Sequence, residues 1–163
     1  MWYVIWTTTG CESRAAEEII KYSDRCFVPR KTINIKRGGN WESTEKTLFP
    51  GYLFVDCKDA DKLADNIRKI EGFNRILTVD KKIFPLYGND ANFVEKLYNI
   101  GGVFDTSEGY IEGDLIKVIA GPLYGLEGLI KKIDRHKRLA YLEFTMFGQT
   151  INTSVGLEIT EKK

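Results

Sequence analysis

The sequence predicts an α+β domain joined by a linker to a small all-β barrel. Helical and strand periodicities alternate up to about residue 98, a polar, glycine-rich stretch fills residues 99–109, and only short strands follow. The first pattern is typical of an antiparallel sheet with flanking helices. In the last part, turn signals recur about every 8–12 residues, which is typical of a five-stranded barrel. We therefore expect domains at residues 1–98 and 110–163.

The elements of the first domain follow from local periodicity. Strands are predicted where β-branched and aromatic residues run together, and helices where apolar residues recur every three or four positions. The glycines at residues 38 and 39 predict the tip of a polar, projecting hairpin. In chain order we expect a strand at 2–7, a helix at 15–22, a strand at 25–28, a hairpin at 32–47, a strand at 52–55, a helix at 60–70, a strand near 75–79 and a helix near 89–98.

The second domain is predicted to contain strands alone. Its turn signals include Gly121-Pro122 and Gly156, and each stretch between turns is rich in β-branched or aromatic residues. The expected strands are 115–119, 128–133, 139–144, 149–153 and 157–159.

Composition excludes several classes of protein. A hydrophobic content of 43% rules out a disordered chain, and no apolar run approaches the roughly 20 residues of a membrane span. The N-terminus lacks the basic region and cleavage site of a secretory signal, so we expect a soluble, cytoplasmic and monomeric protein that does not contact a membrane. Three widely spaced cysteines and a single histidine, His136, supply no metal site. We expect no catalytic residues, metal or cofactor, and therefore no enzyme.

Two stretches identify a family resemblance. Residues 113–130, with Gly-Asp opening a strand, Gly-Pro closing it and Gly128 in the next strand, resemble the KOW motif. Trp2-Tyr3-Val4 before a helix, together with residues 48–55 (LFPGYLFV), resemble the signatures of the NusG N-terminal domain. The order of the two domains is similar to that of NusG proteins over essentially the whole chain. The resemblance implies a transcription elongation or antitermination factor, associated with the bacterial nucleoid through RNA polymerase.

Within the family, the sequence is most similar to specialised paralogues. Residues 48–55 and Cys26-Phe27-Val28-Pro29 are closer to RfaH and LoaP than to general NusG. The basic run at residues 131–138 favours LoaP, which is thought to bind an RNA hairpin through its KOW domain. A general NusG that couples transcription to Rho or to the ribosome, and a ribosome-associated or translational KOW protein, stay open as alternatives.

The resemblance also implies a polymerase-binding patch. In RfaH-like proteins an apolar patch grips the clamp helices of the largest polymerase subunit, and such exposed patches usually mark protein contacts. Four apolar residues fall at or beside the corresponding positions, although each could instead belong to the core. Phe49 lies at a Pro-Gly turn, where a side chain is less often required to be buried. The expected residues are Trp6, Phe49, Tyr52 and Ile76.

The basic run predicts an RNA-binding surface, because clustered Lys and Arg on one face bind phosphate. A merely solvated turn is the alternative. The expected RNA-binding residues are Lys117, Lys131, Lys132, Arg135, His136, Lys137 and Arg138.

Two further contacts are implied by the resemblance. The hairpin with Lys36, Arg37 and Trp41 is either a solvated loop or a contact with the upstream DNA of the transcription bubble. Met146, Phe147 and Gln149 match part of the turn with which general NusG contacts a small-subunit ribosomal protein.

Overall fold

The computed structural model describes residues 1–146 and 149–162 of the 163-residue chain, and these form two compact units. The first contains Met1–Pro29 and Phe49–Gly102. The second contains Arg30–Leu48 and the chain from Val103 onward. The segment 30–48 therefore groups with the C-terminal strands rather than with its sequence neighbours.

The helices and strands run as follows. In chain order they are β1 (Trp2–Thr7), α1 (Glu12–Ile19), β2 (Arg25–Phe27), β3 (Arg30–Arg37), β4 (Asn40–Thr47), β5 (Tyr52–Asp56), α2 (Ala60–Ile67), β6 (Asn74–Ile76), β7 (Thr78–Val79), β8 (Lys82–Ile83), α3 (Gly88–Asn99), β9 (Val103–Phe104), β10 (Ser107–Glu112), β11 (Leu115–Ala120), β12 (Ile130–Asp134), β13 (Leu139–Met146) and β14 (Gln149–Lys162). Short 3₁₀ turns follow α1 and precede β12.

The first unit is built on an antiparallel sheet with the strand order β2-β5-β1-β6. Successive residues of a strand point to opposite faces, so β1 sends Tyr3 and Ile5 to one face and Trp2, Val4 and Trp6 to the other. Helices α1 and α2 bury their apolar stripes against the first face and complete a core with it. We call this side the α1/α2 face and the opposite side the α3 face.

Helix α3 covers part of the α3 face. The Tyr98 ring centroid lies 5.5 Å from that of Trp2 and 5.5 Å from that of Phe27. Trp2 and Val4 are buried on this side of the sheet, whereas Trp6, at the other end of β1, is 37% exposed. The coverage of the sheet by α3 thus ends before Trp6.

An ion-pair network fixes α3 to the sheet. The Arg25 guanidinium donates to Asp56 on β5 (2.9 Å) and to Glu95 on α3 (2.8 Å), and it lies 4.5 Å from the centroid of the Trp2 ring. The indole N–H of Trp2 also donates to Glu95. Hydrogen bonds from Arg25 and Trp2 hold the pKa of Glu95 below its usual value. At Asp56, burial raises the pKa of the carboxyl. The N-terminal ammonium and Arg25 lower it by more, so the pKa of Asp56 is also below its usual value.

The second unit is built on a five-stranded sheet with the order β11-β10-β14-β13-β12. Strand β14 serves two partners, because residues 149–156 pair antiparallel with β13 and residues 157–162 pair parallel with β10. The hairpin β3–β4 forms a separate sheet with β9, and in its register Lys36 stands opposite Trp41. The core of the sheet contains Leu123, Leu142 and Leu157, all fully or almost fully buried.

The predicted fold class, an α+β domain followed by an all-β domain, is confirmed. Some element boundaries differ, and the differences come from long-range pairing. The stretch 99–109 contains β9 and the start of β10, which pairs with both β11 and β14. The expected strand near 75–79 is two strands, β6 and β7.

The expected strands 149–153 and 157–159 are one strand, because Gly156 does not turn the chain. A Cβ at this position would lie 2.6 Å from Thr106 Oγ1 and 3.1 Å from the Thr32 carbonyl oxygen, so the glycine permits a close approach. No helix in the described parts of the chain is long and apolar enough to cross a membrane.

Candidate functional site

The uncovered end of the α3 face carries an aromatic pair, exposed Trp6 and half-buried Tyr52. Trp6 on β1 stands directly opposite Tyr52 on β5, and their ring centroids are 5.9 Å apart at an interplanar angle of 77°. This edge-to-face geometry is favourable for aromatic rings. The pair is held by two neighbouring strands of a rigid sheet, so its shape is set before any partner arrives.

Two further residues extend this surface. Arg75 on the edge strand β6 stands opposite Trp6 on its other side, and its guanidinium lies 4.9 Å from the centroid of the Phe73 ring. Phe73 is 49% exposed. We call these four residues, Trp6, Tyr52, Phe73 and Arg75, the Trp6 surface. It combines apolar rings with one cation, which suits a partner helix with an apolar stripe and an acidic residue.

Phe49 does not belong to this surface, and the expectation that it is exposed is wrong. Its side chain is fully buried, with ring centroids of Phe54 and Phe93 at 6.1 and 6.5 Å. The turn after it closes through the Tyr52 N–H, which donates to the Phe49 carbonyl at 3.0 Å. The turn is compact, but the ring lies among the rings of β5 and α3. Burial is therefore decided by α3, which is distant in sequence.

Ile76 is also buried, and it lies on the opposite face of the sheet from Trp6. It stands opposite Ile5 and packs in the core beneath α1 and α2. Arg75, one position earlier, takes the place beside Trp6 because side chains alternate along β6. The sheet itself separates Ile76 from the expected patch.

The basic run forms the end of β12, a turn and the start of β13. The turn is closed by Asp134, whose carboxylate accepts from the Lys137 N–H at 2.9 Å, and by Arg138, which adopts a left-handed φ of 57°. The Lys132 ammonium lies 5.9 Å from the centroid of its cross-strand neighbour Tyr141. The remaining residues, Lys131, Arg135 and His136, are exposed, as are Lys132 and Lys137.

Lys117 is not brought to this turn. It lies on β11, which occupies one end of the sheet order while β12 occupies the other. Its ammonium is 3.6 Å from Glu112, so its charge is partly compensated by a neighbour. The other expected RNA-binding residues form one basic turn without it.

Sequence reasoning missed the role of Trp41 beside the basic turn. The Arg138 guanidinium lies 4.0 Å from the centroid of the Trp41 ring, and Trp41 belongs to the hairpin β3–β4. The lone aromatic residue in a polar hairpin was the available signal. Nothing in the local sequence pairs it with a residue almost one hundred positions later.

The residues expected to contact a ribosomal protein are described only in part. Phe147 and the side chain of Met146 lie outside the described residues. Gln149 begins β14 and is exposed.

The first unit also holds a pocket of about 560 Å³ between α2 and the edge of the sheet. Its lining includes Ile67, Ile76 and Asn74. The Asn74 side chain is buried, and neither its amide nitrogen nor its amide oxygen has a hydrogen-bond partner among the described residues.

The described residues bring together no group of three His, Cys, Asp or Glu side chains suited to a metal ion. The described cysteines are free thiols, and burial raises the pKa of Cys26 to about 12 and that of Cys57 to about 11.

Comparisons with known proteins agree with this architecture. Residues 1–95 match the family model described as "Transcription termination factor nusG", and residues 112–143 match the KOW motif. The chain is 26% identical to the transcription termination/antitermination protein NusG of Streptococcus pyogenes serotype M1, over 96% of this chain and 92% of that one. Its counterpart from Thermus thermophilus is 24% identical, over 98% and 96%. A solved structure on domain interaction in Thermotoga maritima NusG has a similar fold, with a TM-score of 0.57 and 22% identity over 97% of this chain and 93% of that one.

Proposed function

The chain belongs to the NusG family of transcription termination and antitermination factors, and we propose that it is a non-catalytic elongation factor that stays on RNA polymerase and suppresses pausing or termination. In this proposal, the N-terminal domain (residues 1–98) binds the clamp helices of the largest polymerase subunit. The KOW domain (residues 110–163) binds a hairpin in the nascent RNA. Two anchors of this kind would keep the factor on polymerase and direct it to chosen operons.

The observation that carries the proposal is the Trp6 surface. Part of the α3 face is covered by a helix of the same chain, but at its other end Trp6 is exposed beside the half-buried Tyr52. An aromatic pair on a rigid sheet can act as a binding hot spot, because large rings bury much area and lose little conformational freedom on binding. Trp6 and Tyr52 are retained from the expected patch, Arg75 and Phe73 join it, and Phe49 and Ile76 are replaced.

The RNA part of the proposal rests on the basic turn. Residues 131–138 carry five Lys or Arg and one Asp, with the basic side chains largely exposed. A-form RNA hides its base edges in a deep groove, so a hairpin is recognised through phosphates and unpaired loop bases. A rigid turn with several cations offers both phosphate contacts and planar guanidinium groups. This turn supports the assignment to a specialised member of the family similar to LoaP.

A general NusG is the second candidate, and one observation favours it: relatives matched over nearly their whole length are named termination/antitermination protein NusG. A general factor would act on most transcripts without an RNA hairpin. The two candidates differ in whether the basic turn is needed for activity.

The test of the polymerase anchor is binding of the full chain to immobilised core RNA polymerase. We expect Trp6→Ala to weaken binding by about 2 kcal/mol, as for an aromatic hot spot. Tyr87→Ala is the matched control, because Tyr87 is 80% exposed in the same unit but lies outside the Trp6 surface. Equal binding by wild type and Trp6→Ala would remove the Trp6 surface from the proposal. Co-sedimentation with ribosomes without any binding to polymerase would favour a ribosome-associated KOW protein instead.

The test of the RNA anchor is a fourfold alanine variant at Lys131, Lys132, Arg135 and Arg138. We expect it to lose binding to an RNA stem–loop while it keeps binding to polymerase. A variant with Ala at the exposed Arg14, Lys62, Arg68 and Lys69 of the first unit removes the same number of positive charges and controls for net charge. Unchanged stem–loop binding by the fourfold variant would place the RNA site elsewhere.

A further inference from the structure

The hairpin β3–β4 is held firmly against the five-stranded sheet. The buried Lys31 ammonium donates to the Ser154 carbonyl oxygen and lies 3.2 Å from the Ser154 hydroxyl and 3.3 Å from that of Thr153. The start of β3 pairs in parallel with β9, and Gly156 allows β14 to approach the backbone of β3 closely. The hairpin therefore has a defined position within its unit, in contrast to a solvated loop.

This position brings Trp41 to the basic turn. The Arg138 guanidinium stacks on the Trp41 ring at 4.0 Å, and the Arg138 backbone is fixed because its carbonyl accepts from the Leu157 N–H at 3.0 Å. Trp41 is half-buried, so part of its ring is still open to solvent. The result is a preformed stack of one guanidinium plane and one indole ring, built from two segments distant in sequence.

The same position joins two basic segments. The hairpin (residues 30–47) carries five Lys or Arg against two Glu, and the turn segment (residues 131–138) carries five against one Asp. At the hairpin tip, Lys36 and Arg37 are exposed, and Lys36 stands opposite Trp41 in the register of the two strands. Proteins that bind single-stranded nucleic acid combine cations along the phosphate backbone with aromatic rings that stack its unpaired bases.

We propose that the hairpin and the turn form one composite RNA site, in which the Trp41–Arg138 stack receives an unpaired loop base. Lys36, on the same face of the hairpin as Trp41, contacts a phosphate beside that base, and the turn contacts further phosphates. The inference rests on the proposed RNA-binding function and extends it, because it names the base-stacking residue and a second segment of the site. A stacked platform needs an unpaired base, which the loop of an RNA hairpin supplies and duplex DNA does not.

The experiment uses the full chain and a labelled RNA stem–loop with a randomised loop, titrated at several salt concentrations. A blunt RNA duplex of the same stem and a DNA stem–loop are the comparison ligands. We expect Trp41→Ala to weaken stem–loop binding about tenfold or more, since base stacking on an aromatic ring is worth about 1–3 kcal/mol. Trp41→Phe keeps a ring and should retain most of the affinity, and binding to the blunt duplex should respond little to either change. Lys36→Gln should reduce the slope of the salt dependence by about one phosphate contact, and Arg37→Gln, on the opposite face of the hairpin, is the matched control with little effect.

A second measurement does not depend on removing Trp41. In a Trp6→Phe background the remaining tryptophans are Trp41 and the buried Trp2, so addition of stem–loop RNA should quench tryptophan emission. Normal affinity of both Trp41→Ala and Lys36→Gln, with loss of binding in the fourfold turn variant, would overturn the composite site and leave the proposed function standing. Normal affinity in all of these variants would overturn both. Equal, Trp41-dependent binding of the DNA stem–loop would show that the site is not specific to RNA and would also overturn the inference.

Discussion

Phe49 and Trp6 should separate the stability of the first unit from its binding to polymerase. Phe49 is fully buried between the rings of Phe54 and Phe93, whereas Trp6 is 37% exposed and contacts Tyr52. The same change to alanine should therefore have opposite consequences at the two positions. Phe49→Ala should destabilise the unit, and Trp6→Ala should mainly weaken binding.

The magnitudes follow from burial. Removing a fully buried phenylalanine side chain loses its transfer free energy and leaves a cavity, which together cost about 3–5 kcal/mol. This is a large share of the roughly 5–15 kcal/mol by which a domain is stable. Trp6→Ala loses one edge-to-face ring contact, worth about 0.5–1.5 kcal/mol beyond the area that the partly exposed ring buries, and should cost less than Phe49→Ala. Phe49→Leu, which keeps most of the volume, should cost clearly less than Phe49→Ala.

The assay is urea unfolding of the full chain followed by circular dichroism, alongside binding to core RNA polymerase. Phe49→Ala should unfold at a much lower urea concentration, and the fraction that stays folded should bind polymerase normally. Trp6→Ala should unfold at a urea concentration closer to that of wild type than Phe49→Ala does. The reasoning would be refuted if Phe49→Ala unfolded like wild type but bound polymerase weakly, because Phe49 would then be an exposed anchor after all.

Two further predictions concern polar groups of the first unit. The pKa of Asp56 is lowered in the fold, so the carboxylate contributes stability above its unfolded pKa of about 3.9, and this contribution is lost as the pH falls through the folded value. Asp56→Asn should thus have a lower free energy of unfolding than wild type at neutral pH, and the difference should shrink below about pH 4. A difference that persists undiminished in acid would contradict the ion-pair account. The control is Asp65→Asn, which should have little effect because Asp65 lies in an exposed pair with Arg68. Asn74→Leu removes a buried amide without a described partner and should raise the free energy of unfolding by about 1–2 kcal/mol in a urea titration, whereas a loss would show that the amide is hydrogen-bonded in solution.

Local periodicity was enough to predict most elements. The strand Trp2–Thr7, the two helices α2 and α3, and the hairpin around Gly38 all follow from side-chain spacing and turn residues. These features depend on contacts between residues close in sequence. The predicted order of an α+β domain before an all-β domain follows from the same patterns.

The errors arose where distant residues decide the outcome. Phe49 is buried because α3, some forty residues later, folds over it. Gly156 looks like a turn residue, but it serves a close approach to Thr106. The Trp41–Arg138 stack joins two separate segments, so neither segment alone indicates it. A single sequence reports on which residues alternate or recur, but it carries little information about which face of a strand a distant helix will cover.

The central claim is that this chain acts on transcribing polymerase through the Trp6 surface and through RNA. The most direct measurement is single-round transcription by purified RNA polymerase through an intrinsic terminator, on templates that encode a randomised-loop hairpin library in the leader or no hairpin. We expect the wild-type chain to increase read-through and to enrich particular loops among the read-through transcripts. Trp6→Ala should lose read-through, and the fourfold turn variant should lose both the enrichment and the additional read-through on the hairpin templates. Read-through that is unchanged by the protein, or that is equally strong in the Trp6→Ala variant, would contradict the account.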